Sequence, residues 1–187
     1  MNGKLILIGV VALLVVLGGV TISTYNGLVS SQVGVDQAWG DIQVQYQRRY
    51  DLIPKLTDAV NKFVTFEQKL LTDIAAARSA WTQSLKGSVD DQVEASKQLD
   101  SITSRLLAIV TVENYPDLKS NQLVLGLMDE LAGTENRVAV SRLRYNEAVA
   151  TYNGKILRFP DNILAGSLGF QKRAFFNAQS GAEFPSP

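Results

Sequence analysis

The apolar positions of the chain fall into two regimes. Residues 5–22 form a run of 18 without a charge, mostly Leu, Ile and Val. From residue 35 onward, apolar residues instead recur every three or four positions. Val35, Trp39, Ile42, Tyr46, Ile53, Leu56, Val60 and Phe63 follow in steps of four and three, provided Arg49 is counted as the missing member. That spacing is one stripe of a helix that faces other helices. It predicts a helix over about residues 30–64, continuous with the apolar run. Pro54 lies inside the stripe, removes one backbone bond and crowds the carbonyl of Tyr50, so a kink is expected there.

Three more helices follow from the pattern. Thr65-Phe66-Glu67-Gln68 reads as a capping box that starts a second helix with Phe66, Leu70, Ile74, Ala77, Trp81 and Leu85 on its inner face. Lys86-Gly87 ends it, and Ser88-Val89-Asp90-Asp91 opens a third carrying Leu99, Ile102, Leu106 and Ile109. Tyr115-Pro116 breaks that one. The fourth, over about residues 120–157, has the stripe Leu123, Leu127, Leu131, Thr134, Val138, Ser141, Tyr145, Val149, Tyr152 and Ile156. No stretch alternates with period two over a useful length. The fold class expected is therefore all-α: a transmembrane helix at 5–29 after a short flank at 1–4, then an up-down antiparallel four-helix bundle at 30–158. Helices two and three are the shorter pair, which predicts a two-helix stalk near the membrane and delivers the aromatic tail, 159–187, to the membrane surface or a partner. Phe159, Phe170, Phe175 and Phe176 are its candidate contact residues, with packing on the stalk as the alternative.

At ~1.5 Å per residue the apolar run is about 27 Å long, close to the hydrocarbon thickness of a bilayer. It exceeds a signal-peptide core, and Val20-Thr21-Ile22-Ser23 offers no A-x-A-like cleavage site, so it reads as an uncleaved anchor. Gly19 and Ser23 form a small-x-x-x-small pair, a weak signal for helix association. Lys4 is the one charge on the N-terminal flank, and the next charge after it is Asp36. The positive-inside rule then puts the amino terminus in the cytoplasm and the bulk of the chain on the periplasmic or extracellular side.

Composition narrows the chemistry. Eighteen basic residues balance eighteen acidic ones, so no basic excess drives nucleic-acid binding. With neither cysteine nor histidine, disulfides, thiolate or imidazole zinc sites and Ser–His triads are excluded. Carboxylates are the remaining acid–base candidates, and each lies within two helical turns of an arginine. Asp51 follows Arg48; Glu130 and Glu135 precede Arg137. The structural reading is that Arg49 enters the helical seam and is neutralised from the fourth helix, with Glu135 as the expected partner, and that Thr134 and Ser141 make room for it. No catalytic residue, cofactor or metal ligand is expected. Tyr145-Asn146 and Tyr152-Asn153 lie seven residues apart on one face, more in keeping with core tyrosines than with a binding surface.

Taken in order, Tyr25-Asn26-Gly27-Leu28-Val29, Ala38-Trp39, Arg48-Arg49-Tyr50-Asp51-Leu52-Ile53-Pro54, Ala77-Arg78-Ser79, Tyr115-Pro116-Asp117-Leu118-Lys119, Gly133-Thr134-Glu135-Asn136-Arg137-Val138, Arg142, Tyr145-Asn146, Tyr152-Asn153, Phe159-Pro160 and Gly169-Phe170 resemble the LemA family. Lys55 departs from the asparagine usual after the proline, on the outer face. The resemblance implies a single-pass protein of the bacterial inner membrane with a long antiparallel helical bundle and no established catalytic residues. Members are often encoded near membrane peptidase-like and envelope proteins. The function expected is a non-enzymatic, membrane-anchored scaffold that forms homo-oligomers or organises envelope partners; the alternative is an adaptor for a membrane peptidase or signalling system.

Overall fold

A computed structural model of the chain describes residues 2–111 and 121–176. Helix α1 spans Asn2–Val60, α2 Gln68–Ser84, α3 Val89–Thr111, α4 Gln122–Leu157 and the short α5 Asp161–Ala165. No strand occurs among the described residues, so the fold is all-α with one long apolar N-terminal helix. The break expected at Tyr115-Pro116 lies outside the described residues.

The α1 stripe is buried as its spacing requires. Val35, Ile42, Tyr46, Ile53, Leu56 and Val60 are all in the core, and Arg49 stands among them at 3% exposure. Trp39 is half-buried, while Phe63, beyond the helix end, is exposed. Pro54 sits inside α1, which continues helical on both sides of it. One missing hydrogen bond is tolerated there because Leu52, Ile53 and Leu56 around it are buried. Lys55 points outward.

Two helix starts show how local chemistry sets a boundary. The expected capping box at Thr65 is not formed. Glu67, in extended conformation, is the N-cap of α2 and makes no side-chain cap bond. Its carbonyl instead accepts from the amides of Leu70 and Leu71. The box shape at α3 is real: the Asp91 amide donates to Ser88 Oγ at 3.2 Å, and the Ser88 amide and hydroxyl both donate to Asp91 Oδ2 at 2.8 Å. A Cβ on Gly87 would lie 2.5 Å from that carboxylate oxygen, so glycine leaves the cap its space. The Ser88 bonds hold the Asp91 carboxyl below its ordinary range.

The chain divides into two compact units. One contains residues 40–142 as far as described: the C-terminal part of α1, then α2, α3 and the N-terminal part of α4. Side-chain pairs fix the directions within it. Tyr46 meets Trp81 and Tyr50 meets Arg78, so α2 runs against α1. Gln43 bonds Gln92 and Tyr46 bonds Asp100, so α3 runs with α1. Arg48 meets Glu130 and Tyr46 meets Arg142, twelve residues later in α4, so α4 runs against α1. This is up-down order in four helices. Leu131, Thr134, Val138 and Ser141 of the α4 stripe are buried; at its start Val124 takes the core position and Leu123, 63% exposed, does not.

The other unit contains residues 2–39 and 143–176 as described. Here α1 and α4 run antiparallel, with Lys155 Nζ donating to the Gly27 carbonyl at 3.2 Å and Trp39 meeting Tyr145 edge-on at 5.3 Å. After α4 the chain turns through α5 and returns as an irregular segment, 170–176, along the same pair. Leu28, Val35, Tyr145, Val149, Tyr152, Ala165 and Phe176 form its core. Residues 5–22 remain outside it: among the helix's most apolar stretch nothing is buried.

Candidate functional site

Two polar constellations stand out, one in each unit. In residues 40–142, the buried guanidinium of Arg49 pairs with Asp100 of α3, and its Nε donates to Thr134 Oγ1 at 2.8 Å. The Thr134 hydroxyl in turn donates to the Leu131 carbonyl at 2.6 Å, so every link has a defined direction. Arg142 Nη2 reaches Asp100 Oδ2 at 2.6 Å and also bonds the Tyr46 hydroxyl, which donates to the same carboxylate. Both guanidinium groups also lie over the Tyr46 ring, at 5.7 and 5.6 Å from its centroid. Burial, then the Asp100 charge, pushes the Tyr46 phenol above its ordinary value. For Arg142, burial alone would lower the pKa, but Tyr46 and Asp100 outweigh it and hold the group above its usual value.

This layer corrects the pairing expected from sequence. Glu135 is exposed on α4, and the partner of Arg49 is Asp100. Thr134 occupies the inward position on α4, and the next residue is turned by about 100° of helix, which carries Glu135 out of the seam. Arg48 pairs with Glu130 at the surface, and Asp51 accepts from Gln47 Nε2 at 3.0 Å. Arg137 is exposed and donates to the Glu130 carbonyl at 3.3 Å. The layer thus collects Arg49, Asp100, Arg142, Tyr46 and Thr134, and leaves Arg48, Asp51, Glu135 and Arg137 outside. Asp100 escaped the sequence reading because an aspartate beside Leu99 looks like a solvated helix face. The usable signal was Ser96 and Thr103, two buried small polar residues seven apart that bracket it. Chemically, both oxygens of Asp100 accept from guanidinium and phenol donors of the layer itself. Among the described residues there is no group of three or more acidic side chains placed to hold a metal ion.

In the other unit, the two Tyr-Asn pairs of α4 grip the returning segment. Asn153 Oδ1 accepts the Arg173 amide at 2.9 Å while its Nδ2 donates to the Arg173 carbonyl at 2.8 Å. Asn146 treats Phe176 the same way, at 2.8 and 3.0 Å. The Tyr145 hydroxyl donates to the Ala174 carbonyl at 3.1 Å. Seven helical residues span about 10.5 Å. Three residues of extended chain reach about 10 Å. The two spacings match closely enough for both asparagines to engage at once. These bonds satisfy backbone groups that belong to no sheet or helix. Side chains complete the seat: Phe176 is buried against Trp39 at 6.1 Å, Phe170 meets Tyr25 edge-on at 5.8 Å, and Arg173 reaches Asp36 at 3.3 Å. Burial pushes the Tyr152 phenol upward. Phe175 and Phe159 stay outside, 49% and 79% exposed.

Together the fold and the two constellations define a class: an all-α protein with one N-terminal segment of membrane-spanning length and apolarity, and two polar constellations built from its own side chains and backbone. The chain belongs to the LemA family, whose model matches residues 38–186. It is 29% identical over 153 residues to Protein LemA of Metamycoplasma hominis, a match covering 82% of this chain and 68% of that protein. It is 24% identical over 185 residues to Magnetosome protein MamQ of Magnetospirillum gryphiswaldense, covering 86% of this chain and 67% of the relative. Magnetosome protein MamQ 2 of Paramagnetospirillum magneticum is 36% identical over 81 residues; the match spans 43% of this chain and 29% of that protein.

Proposed function

We propose that this protein is a non-enzymatic scaffold of the bacterial envelope, anchored in the inner membrane by α1 and self-associating there, with the bulk of the chain outside the cytoplasm. The observation that carries the reading is the continuity of α1. Its unburied apolar stretch passes straight into packed helix, and Thr24 and Leu28, just beyond residue 22, are already buried. An unbroken helix with buried residues at that point disfavours signal cleavage and favours an anchor. The acidic group of the polar layer, Asp100, is bonded to two arginines, and none of the three relatives' names denotes an enzyme.

The test is to extract the full chain into native nanodiscs and weigh the particles. A self-associating scaffold comes out with two or more copies per particle. A monomer without retained partner contradicts the reading, and a membrane peptidase retained in stoichiometric amount replaces it with an adaptor.

A further inference from the structure

The turn that links α4 to the returning segment carries an apolar surface the core does not use. Leu157, Phe159 and Ile163 are 59%, 79% and 66% exposed within seven residues of chain. Hydrogen bonds fix their height along α1. Lys155 Nζ bonds the Gly27 carbonyl at 3.2 Å, and Thr24 Oγ1 donates to Asp161 Oδ1 at 2.9 Å. Thr24 follows the apolar run by two residues, about 3 Å of helix rise. The turn is therefore held within about one helical turn of the place where α1 ceases to be uniformly apolar. Phe170 on Tyr25 and the two asparagine clamps secure the far limb, so the turn is fixed from both sides.

Charge agrees with position. Beside the turn stand two cations, Lys155 and Arg158, against one anion, Asp161, while Arg173 further along the returning segment is paired with Asp36. Exposed aromatic and aliphatic side chains rimmed by lysine and arginine are the composition of a surface that sits at the headgroup–acyl boundary.

We infer that the turn around Phe159 and Ile163 inserts into the interface of the same bilayer that α1 crosses, as a second point of membrane attachment. Phe159 and Ile163 enter the outer acyl region, and Lys155 and Arg158 meet headgroup phosphates. The inference rests on α1 spanning the bilayer and is independent of self-association.

Because the chain lacks cysteine, single-cysteine variants of the full chain can carry an environment-sensitive NBD label in nanodiscs of phosphatidylcholine and phosphatidylglycerol containing nitroxide-labelled lipid. Phe159→Cys and Ile163→Cys report the turn. Val33→Cys and Leu143→Cys report residues of similar exposure, 57% and 60%, but about 13 Å beyond Thr24 along α1 and about 21 Å before Leu157 along α4. Val10→Cys reports the span. The expected result is blue-shifted emission and several-fold stronger lipid quenching at 159 and 163 than at 33 and 143, with Val10 quenched by the deepest nitroxide. If Val10 is quenched while 159 and 163 match the controls, the inference fails and the anchor stands. Blue-shifted emission without quenching assigns the turn to a second copy and overturns it. An unquenched Val10 removes the anchor and the inference together.

Discussion

The two units solve the same problem, holding polar groups inside a small helical body, in opposite ways. In residues 40–142 the solution is charge against charge: two arginines share one aspartate, with a tyrosine and a threonine completing the set. In residues 2–39 and 143–176 it is amide against backbone, with Asn146 and Asn153 each matching both polar groups of one tail residue. The first depends on the identity of every partner, since losing one strands a charge. The second reads only the spacing of a backbone and is indifferent to the side chains it holds. Register of the four helices is thus specified by particular residues, whereas docking of the returning segment is specified by the seven-residue interval on α4.

The most severe way to break the comparison is Asp100→Ala. It leaves Arg49, 3% exposed, without its anion, and stability should fall by about 3–5 kcal/mol, read as the unfolding midpoint in detergent micelles. A loss below about 1 kcal/mol would show that the layer is solvated in practice. The same layer predicts alkaline weakening. The folded pKa of Tyr46 lies above the unfolded value of about 10, so its contribution is complete below that pH and is lost as pH rises through the folded pKa. The stability difference between wild type and Tyr46→Phe should therefore be constant from neutrality to about pH 9 and shift against the wild type above about pH 10.

Next in size is the ladder. Asn153→Ala or Asn146→Ala removes two hydrogen bonds, about 1–3 kcal/mol of docking free energy. Trypsin should then cut after Lys172 and Arg173 about tenfold faster or more, with the melting of the four-helix unit unchanged. The smallest effect belongs to Ser88→Ala, which removes the α3 cap. The four-helix unit should melt lower, but by less than for Asp100→Ala. Since the folded Asp91 pKa is depressed, the wild-type advantage is present above the unfolded carboxylate range and disappears as pH falls through the folded value.

Much of this was legible in the chain, and what was not has a physical cause. The 4-3 stripe of α1, apart from half-buried Trp39 and exposed Phe63 past the helix end, and the α4 positions from Leu131 to Tyr152 are buried as spaced, because helical periodicity decides which face turns inward. Arg49 could be read as a seam residue by its place in the count. Asp100 was not read as its partner, because nothing near residue 49 marks which helix supplies the carboxylate; the signal lay on α3, in the buried Ser96 and Thr103 that bracket Asp100. The capping box at Thr65 failed where the one at Ser88 formed. The motif was present at both, but the chain enters α2 at Glu67 in extended conformation, two residues late. The heptad spacing of Asn146 and Asn153 was visible, while their occupant was hidden: a backbone partner leaves no signature in its own side chains.

The most direct test of this division is hydrogen exchange on the full chain in nanodiscs, comparing wild type with Asp100→Ala and with the Asn146→Ala/Asn153→Ala double variant. Faster exchange across α2 and α3 is predicted for Asp100→Ala. For the double variant it is predicted in residues 170–176, with α2 and α3 as protected as in wild type. Protection retained in α2 and α3 of Asp100→Ala, or lost there in the double variant, would contradict the account.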